Sequence, residues 1–189
     1  VEVSRPPYPV AERAPLPQAE LPLSVLYQDE ALVAINKPPA QATHPLLANE
    51  LNTAANAVVA RYPECLHASP VVREAGAAHR LDAWTSGVLV FAREPRAWQN
   101  LRDQFFAGQV HKEYLALVVG FVTEVVEITA RLVRRKTRVV AVGDGADSLS
   151  AHTTVACVER YPHEGLSLVA CTCRTGRMHQ VRAHLAHAG

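Results

Sequence analysis

Long apolar runs are missing from this chain: stretches such as Tyr114 to Val122 fall well short of the roughly 20 residues a membrane-spanning helix needs. The N-terminus carries Pro6, Pro7 and Pro9 where a signal peptide needs an unbroken apolar core, so a cytoplasmic location is expected, with no membrane partner. Cysteine is scarce. Cys65, Cys157, Cys171 and Cys173 lack zinc-finger spacing, and the last two, at i and i+2, would share one face of a strand, so free buried thiols are expected. His179, His184 and His187 miss the His-x-x-x-His helical spacing and have no carboxylate close by in sequence, which points to no metal. Glycine-rich phosphate loops and internal repeats are absent too.

What is present is a globular composition, 49% hydrophobic and 20% charged, in 189 residues, enough for one domain with a sizeable core. The net charge of +1 hides an asymmetry. Val1 to Ala130 carries ten Lys and Arg against fourteen Asp and Glu, whereas Arg131 to Gly189 carries nine against four. The positive half includes the run Arg131, Arg134, Arg135, Lys136 and Arg138, which suits either a solvated edge strand or contact with phosphates.

Residues 1–23 hold six of the thirteen prolines and no hydrophobic periodicity, and read as an extended, poorly packed arm ahead of a domain over 24–189. Short strands follow at Val25 to Tyr27 and Ala31 to Ile35, joined by a turn at Gln28-Asp29-Glu30. Asn52 to Arg61 reads as a helix stopped by Pro63. Glu94 to Gly108 is the clearest helix, with Trp98, Leu101 and Phe105 at i, i+3 and i+7. Strands are then expected at His111 to Val119, Val125 to Val133, Arg138 to Val142, Thr153 to Arg160 and Leu166 to Cys173. Arg177 to Ala188 resumes helical spacing, with Val181, Leu185 and Ala188 on one side. Strands outnumber helices and are joined by short turns, the pattern of an α+β fold with a predominantly antiparallel sheet and flanking helices.

Four segments carry chemistry. His79-Arg80-Leu81-Asp82, followed by Thr85-Ser86-Gly87, sets an acid beside an arginine where a loop enters an apolar strand, a placement suited to covalent or general-base work. The others are Asn36-Lys37-Pro38, His111 to Val118 with Lys112 and Tyr114, and Thr175-Gly176-Arg177-Met178-His179-Gln180-Val181-Arg182. A hydrolase using His79 and Asp82 would need a serine elbow or a Cys-His signature, and the chain has neither.

In these segments the chain resembles the RluA family of RNA pseudouridine synthases, in the family's order, from about Val25 to Gly189. The resemblance implies a curved, mixed, predominantly antiparallel sheet in two halves with a cleft for RNA. It also implies isomerisation of uridine to pseudouridine in ribosomal or transfer RNA, without cofactor or metal, by a monomer. Asp82 would be the essential aspartate, acting on the ribose or the base, and Arg177 its ion-pair partner. Arg80 would fill the space left by a flipped nucleotide, Tyr114 would lie against the uracil, and Val181 would wall the site from water. His79, Thr85, Gly87, Lys112, His179, Gln180 and Arg182 would support the motif loops. Lys37 is read either as bordering the cleft and binding substrate or as a solvated lysine at a turn. Trp84 departs from the family, many of whose members have a charged residue there. No appended S4-type RNA-binding domain is recognisable. Helical spacing still runs at Ala188-Gly189, where family members usually continue, so a fragment or a short member is expected, and a catalytically impaired RNA-binding module is the alternative to an active enzyme.

Overall fold

A computed structural model describes residues 14–136, 138–143, 145 and 147–189. The elements run β1 (Val25–Gln28), β2 (Leu32–Lys37), α1 (Ala54–Arg61), β3 (Gly87–Ala92), α2 (Pro95–Phe106), β4 (Lys112–Val119), β5 (Val126–Ile128), β6 (Arg131–Arg135), β7 (Arg138–Val142), β8 (Thr153–Tyr161), β9 (Leu166–Cys173) and α3 (Gln180–Ala188). Short 3-10 turns lie at Pro63–His67 and Val72–Glu74. All pairings between these strands are antiparallel. The fold is α+β, as the alternation of short apolar strands predicts. The chain forms two compact units that meet in sequence after Phe106.

The first unit is built on the sheet β1-β2-β3. Its hairpin turn is closed by Asp29, whose carboxylate accepts from the backbone N–H of Ala31 and of Leu32, both at 2.8 Å. Val33, Ile35, Leu89 and Phe91, paired across β2 and β3, are buried on one face of this sheet. Helix α1 starts on a capping box: Thr53 Oγ1 accepts from Asn56 N at 3.3 Å and Asn56 Oδ1 from Thr53 N at 3.0 Å, an arrangement worth about 1 kcal/mol.

The expected arm is only in part what its prolines suggest. Residues 1–13 lie outside the described residues, but from residue 14 onward the segment is tied to α1. Asn56 Nδ2 donates to Leu16 O at 2.7 Å, Gln18 N to Asn56 O at 3.1 Å, and Asn52 N to Gln18 Oε1 at 2.6 Å. Side-chain amides supply here the packing that apolar periodicity does not. Gly76 permits a second close approach: at φ +76 its C=O accepts from Ala92 N of β3 at 2.8 Å, its N–H donates to Ser69 Oγ at 3.2 Å, and a Cβ there would sit 2.3 Å from Ala92 O.

The second unit holds the sheet β4-β9-β8-β5, the hairpin β6-β7, and α3, which packs on β7 and β8. Strict alternation on β4 turns Tyr114, Ala116 and Val118 toward the buried cluster of Ile128, Val155, Val169 and Cys171, where Val181 and Leu185 of α3 also pack. The single strand expected over Val125 to Val133 is two, because Ile128 enters this cluster whereas Leu132 enters another, with Ala151 and Ala183. The helix expected from Arg177 begins at Gln180, since His179 takes a left-handed conformation at φ 53 and residues 177–179 form a turn. Ala188, expected on the buried side, is exposed. The four cysteines are free thiols, three of them buried and Cys157 half-buried. Burial pushes Cys65 up to about 12 and Cys171 to about 11.

Candidate active site

The site residues expected from the sequence fall into two groups, one in each unit. Lys37, His79, Arg80, Asp82, Thr85 and Gly87 belong to the first, and Lys112, Tyr114, Arg177, His179, Gln180, Val181 and Arg182 to the second.

In the first unit, β2 ends at Lys37, opposite Gly87 at the start of β3, so the Asn36-Lys37-Pro38 turn and the segment after Asp82 leave the sheet side by side. Lys37 is fully buried. Its ammonium donates to Pro38 O at 2.9 Å, Gln41 O at 2.7 Å and Ala83 O at 3.0 Å, which fills all three of its donor positions. The reading of Lys37 as a solvated turn lysine is therefore corrected: its ammonium is buried and bound to backbone carbonyls. Burial lowers its pKa and the charge of Asp82 opposes that shift.

Further bonds hold the same loop. Gln41 N donates to Ala83 O at 3.1 Å, and Thr43 Oγ1 both donates to Leu81 O at 2.9 Å and accepts from Leu81 N at 3.1 Å. Thr85 N donates to Asp82 O at 3.0 Å, so the residues flanking the acid are bound on both sides. Asp82 is half-buried, while Arg80 and Trp84 are exposed. His79 Nε2 accepts from Val90 N at 3.2 Å, and its ring lies 5.0 Å from that of Phe105. Helix α2 anchors the approach to the motif: Trp98 Nε1 donates to Ala77 O and Arg102 Nη1 to Ala78 O, each at 3.2 Å.

In the second unit, Tyr114, expected to lie against uracil, and Val181, expected to wall the site from water, pack on one apolar cluster. Lys112 pairs with Cys173, and its Nζ lies 3.4 Å from where a Cβ on Gly176 would stand. Burial and the charge of Arg177 depress its pKa, against the opposing effect of Cys173. Arg177 is exposed, and its Nε donates to Ser150 O at 3.0 Å. Gln180 is buried and makes four bonds. Its Oε1 accepts from Thr175 Oγ1 at 2.8 Å and from Arg177 N at 3.0 Å. Its Nε2 donates to His152 O at 3.0 Å and to Thr153 Oγ1 at 2.9 Å. Within the basic run, Arg131 is committed to Ser148, through Nε to Oγ at 2.7 Å and Nη2 to O at 2.5 Å, whereas Arg134, Arg135, Lys136 and Arg138 are exposed.

Sequence reading gave no role to Thr43, His44 or Thr153, and weighed His184 only as a metal ligand. The signal for the first pair was available: Thr43-His44-Pro45 is a polar step between the Pro38-Pro39 turn and the cap of α1. His44 is buried, with Nδ1 unpartnered, and lies in the field of Arg80 and Arg73. Burial first, then these two charges, lower its pKa to about 4. Among the described residues, no group of three or more His, Cys, Asp or Glu side chains is placed to hold a metal ion. No helix among them is long and apolar enough to cross a membrane.

Residues 31–187 match the RNA pseudouridylate synthase family. The chain is 37% identical over 169 residues to ribosomal large subunit pseudouridine synthase D of Xylella fastidiosa, covering 89% of this chain and 49% of that protein. It is 38% identical over 172 residues to the protein of the same name in Xanthomonas campestris pv. campestris, again covering 89% and 49%. It therefore spans about half the length of these relatives. Among solved structures, human RNA pseudouridylate synthase domain containing 1 superimposes with a TM-score of 0.70 at 25% identity, over 89% of this chain and 66% of that one. With the motif residues on the loops and strands described above and a family match over most of its length, the chain belongs to the RNA pseudouridylate synthase family.

Proposed function

We propose that this chain isomerises uridine to pseudouridine in RNA, with Asp82 as the catalytic carboxylate. The reaction breaks the bond from uracil N1 to ribose C1′ and forms one from C5 to C1′. N1 gains a proton and C5 loses one, so no redox partner or outside energy is needed. The enzyme must expose the base, present a carboxylate and keep the detached uracil from escaping.

The observation that carries this reading is the immobilised Asp82 loop: the residues on both sides of the acid are bonded to Lys37, Gln41 and Thr43 while the acid itself stays half-buried. A carboxylate held in this way loses little freedom when it engages the sugar or base. Arg80, exposed two residues before it, fills in this reading the gap left by a flipped nucleotide, whose extrusion costs a few kcal/mol. Tyr114 offers a ring face to uracil, a contact that tolerates rotation of the base, with Val181 as the apolar wall beside it. Arg177 is a further catalytic residue in this reading, carried on the exposed turn that Gln180 holds. His79, Thr85, Gly87, Lys112, His179, Gln180 and Arg182 hold these groups in place.

The relatives' names favour ribosomal RNA as substrate. We further propose that the enzyme works in the cytoplasm, as a monomer and without metal or cofactor. Mapping pseudouridine in cellular ribosomal RNA with and without this protein tests the reading. A set of uridines isomerised only when the protein is present supports it, and identical maps contradict it.

A further inference from the structure

Four polar side chains of the second unit form one hydrogen-bonded relay whose direction is fixed at both ends. Ala130 O can only accept, so His184 Nε2, at 2.9 Å, must be the donor there. In a neutral ring His184 Nδ1 is then an acceptor, and it takes the hydroxyl proton of Thr153, also at 2.9 Å. Thr153 Oγ1 accepts in turn from Gln180 Nε2. The amide of Gln180 cannot be reversed, because its nitrogen faces His152 O and its oxygen faces Arg177 N. Thr175 closes the network, donating to Gln180 Oε1 and accepting from His152 N at 3.0 Å. His184 and Thr153 are fully buried and Gln180 nearly so, which leaves little water to replace a lost partner.

We propose that His184 is a positioning residue for Arg177, acting through Thr153 and Gln180 to fix the turn from which Arg177 projects. The residue does not touch substrate. Its neutral Nε2–H tautomer fixes the direction of the Thr153 hydroxyl, which holds one amide hydrogen of Gln180, and the oxygen of that same amide restrains the Arg177 backbone. Burial is the largest influence on His184 and disfavours its charged form; the charges of His187 and His152 act in the same direction, and the bond to Ala130 O opposes them. Helix α3 alone does not need a histidine here, since Val181 and Leu185 supply its apolar contacts. The inference rests on the reading of Arg177 given above.

The test uses the whole chain and measures uridine isomerisation at saturating RNA, with KM determined separately. His184→Gln retains a donor that reaches toward Ala130 O but loses the acceptor for Thr153. Thr153→Val removes the hydroxyl at nearly constant volume, and Thr153→Ser restores it. Each of the first two variants is expected to lower kcat roughly tenfold, the rate equivalent of about one hydrogen bond, with KM within about twofold, while Thr153→Ser stays near the parent. In an Arg177→Met background, followed by long single-turnover reactions, His184→Gln and Thr153→Val are expected to lower the rate no further. An undiminished tenfold effect in that background overturns the inference alone, because the relay then acts elsewhere. Parental kcat in both His184→Gln and Thr153→Val overturns it as well. Parental activity of Arg177→Met overturns the reading of Arg177, and the positioning role with it.

Discussion

The loop bearing Asp82 and the turn bearing Arg177 are held by different chemistry. In the first unit a buried cation does the holding: Lys37 gathers the carbonyls of Pro38, Gln41 and Ala83 around one ammonium, and Thr43 bridges both backbone groups of Leu81. In the second unit the holding groups are neutral and directional, an amide, two hydroxyls and an imidazole in series. An ammonium binds any acceptors arranged around it, so its strength comes from charge in a medium of low dielectric. A relay of neutral groups depends on each bond pointing the right way, and a single reversal is felt along its length. The lesson is that two loops expected to serve one reaction can be made rigid by unlike means, with unlike responses to mutation, pH and salt.

The largest expected effect separates chemistry from scaffolding. Asp82→Asn removes the charge and almost no volume, so turnover is expected to fall by at least about a thousandfold, roughly 4 kcal/mol in barrier, while RNA binding persists. Activity within about tenfold of the parent would remove Asp82 from the catalytic role. Next come the two holding groups themselves. Lys37→Met takes the shared donor from the carbonyls of Pro38, Gln41 and Ala83 and is expected to destabilise folding by about 3 kcal/mol in denaturant titration; Gln180→Leu, which removes neutral bonds, is expected to lose about 1–2 kcal/mol. The reverse order would break the contrast between a charged clamp and a neutral relay.

A smaller effect comes from pH. The pKa of His44 is lowered in the folded protein to about 4 from an ordinary 6.5, so between these values the unfolded chain binds the extra proton. Its contribution to stability is complete above pH 6.5 and is lost as pH falls toward 4. From pH 6.5 to about 5 the loss is expected to be on the order of 2 kcal/mol, before carboxylates dominate, and His44→Asn is expected to flatten it. Calorimetric unfolding across this range measures the slope; equal slopes in parent and variant would contradict the buried neutral histidine. The smallest effect is ionic. Neutralising Arg134, Arg135 and Lys136 together is expected to reduce the salt dependence of RNA binding by up to about two to three phosphate contacts. An unchanged slope returns these residues to the role of a solvated strand edge.

Much of the fold was legible because alternation and capping are local. The bounds of β7 and β9 and most of α2 follow from the pattern of apolar residues, and the hairpin turn from Asp29. The split between β5 and β6 was not legible, since it depends on Ile128 and Leu132 entering different clusters, and a run of strand-forming residues does not reveal that. The motif residues were legible as a set, but the groups that hold them were not. Lys37 looks like a turn lysine until the carbonyls of Gln41 and Ala83, one of them 46 residues away, are brought to it. His184 looks like one more residue of α3 until Ala130 and Thr153 close around its ring. Both cases need tertiary partners distant in sequence, and spacing along the chain does not encode them.

Formation of the new bond at uracil C5 must expel the hydrogen carried there, and this gives the most direct measurement of the central claim. Purified chain and its Asp82→Asn variant are incubated with ribosomal RNA carrying tritium at uracil C5, and tritium released to water is counted. The account predicts release by the parent that rises with time to a plateau set by the number of target uridines, with none above background for the variant. No release by the parent, or equal release by both proteins, would contradict it.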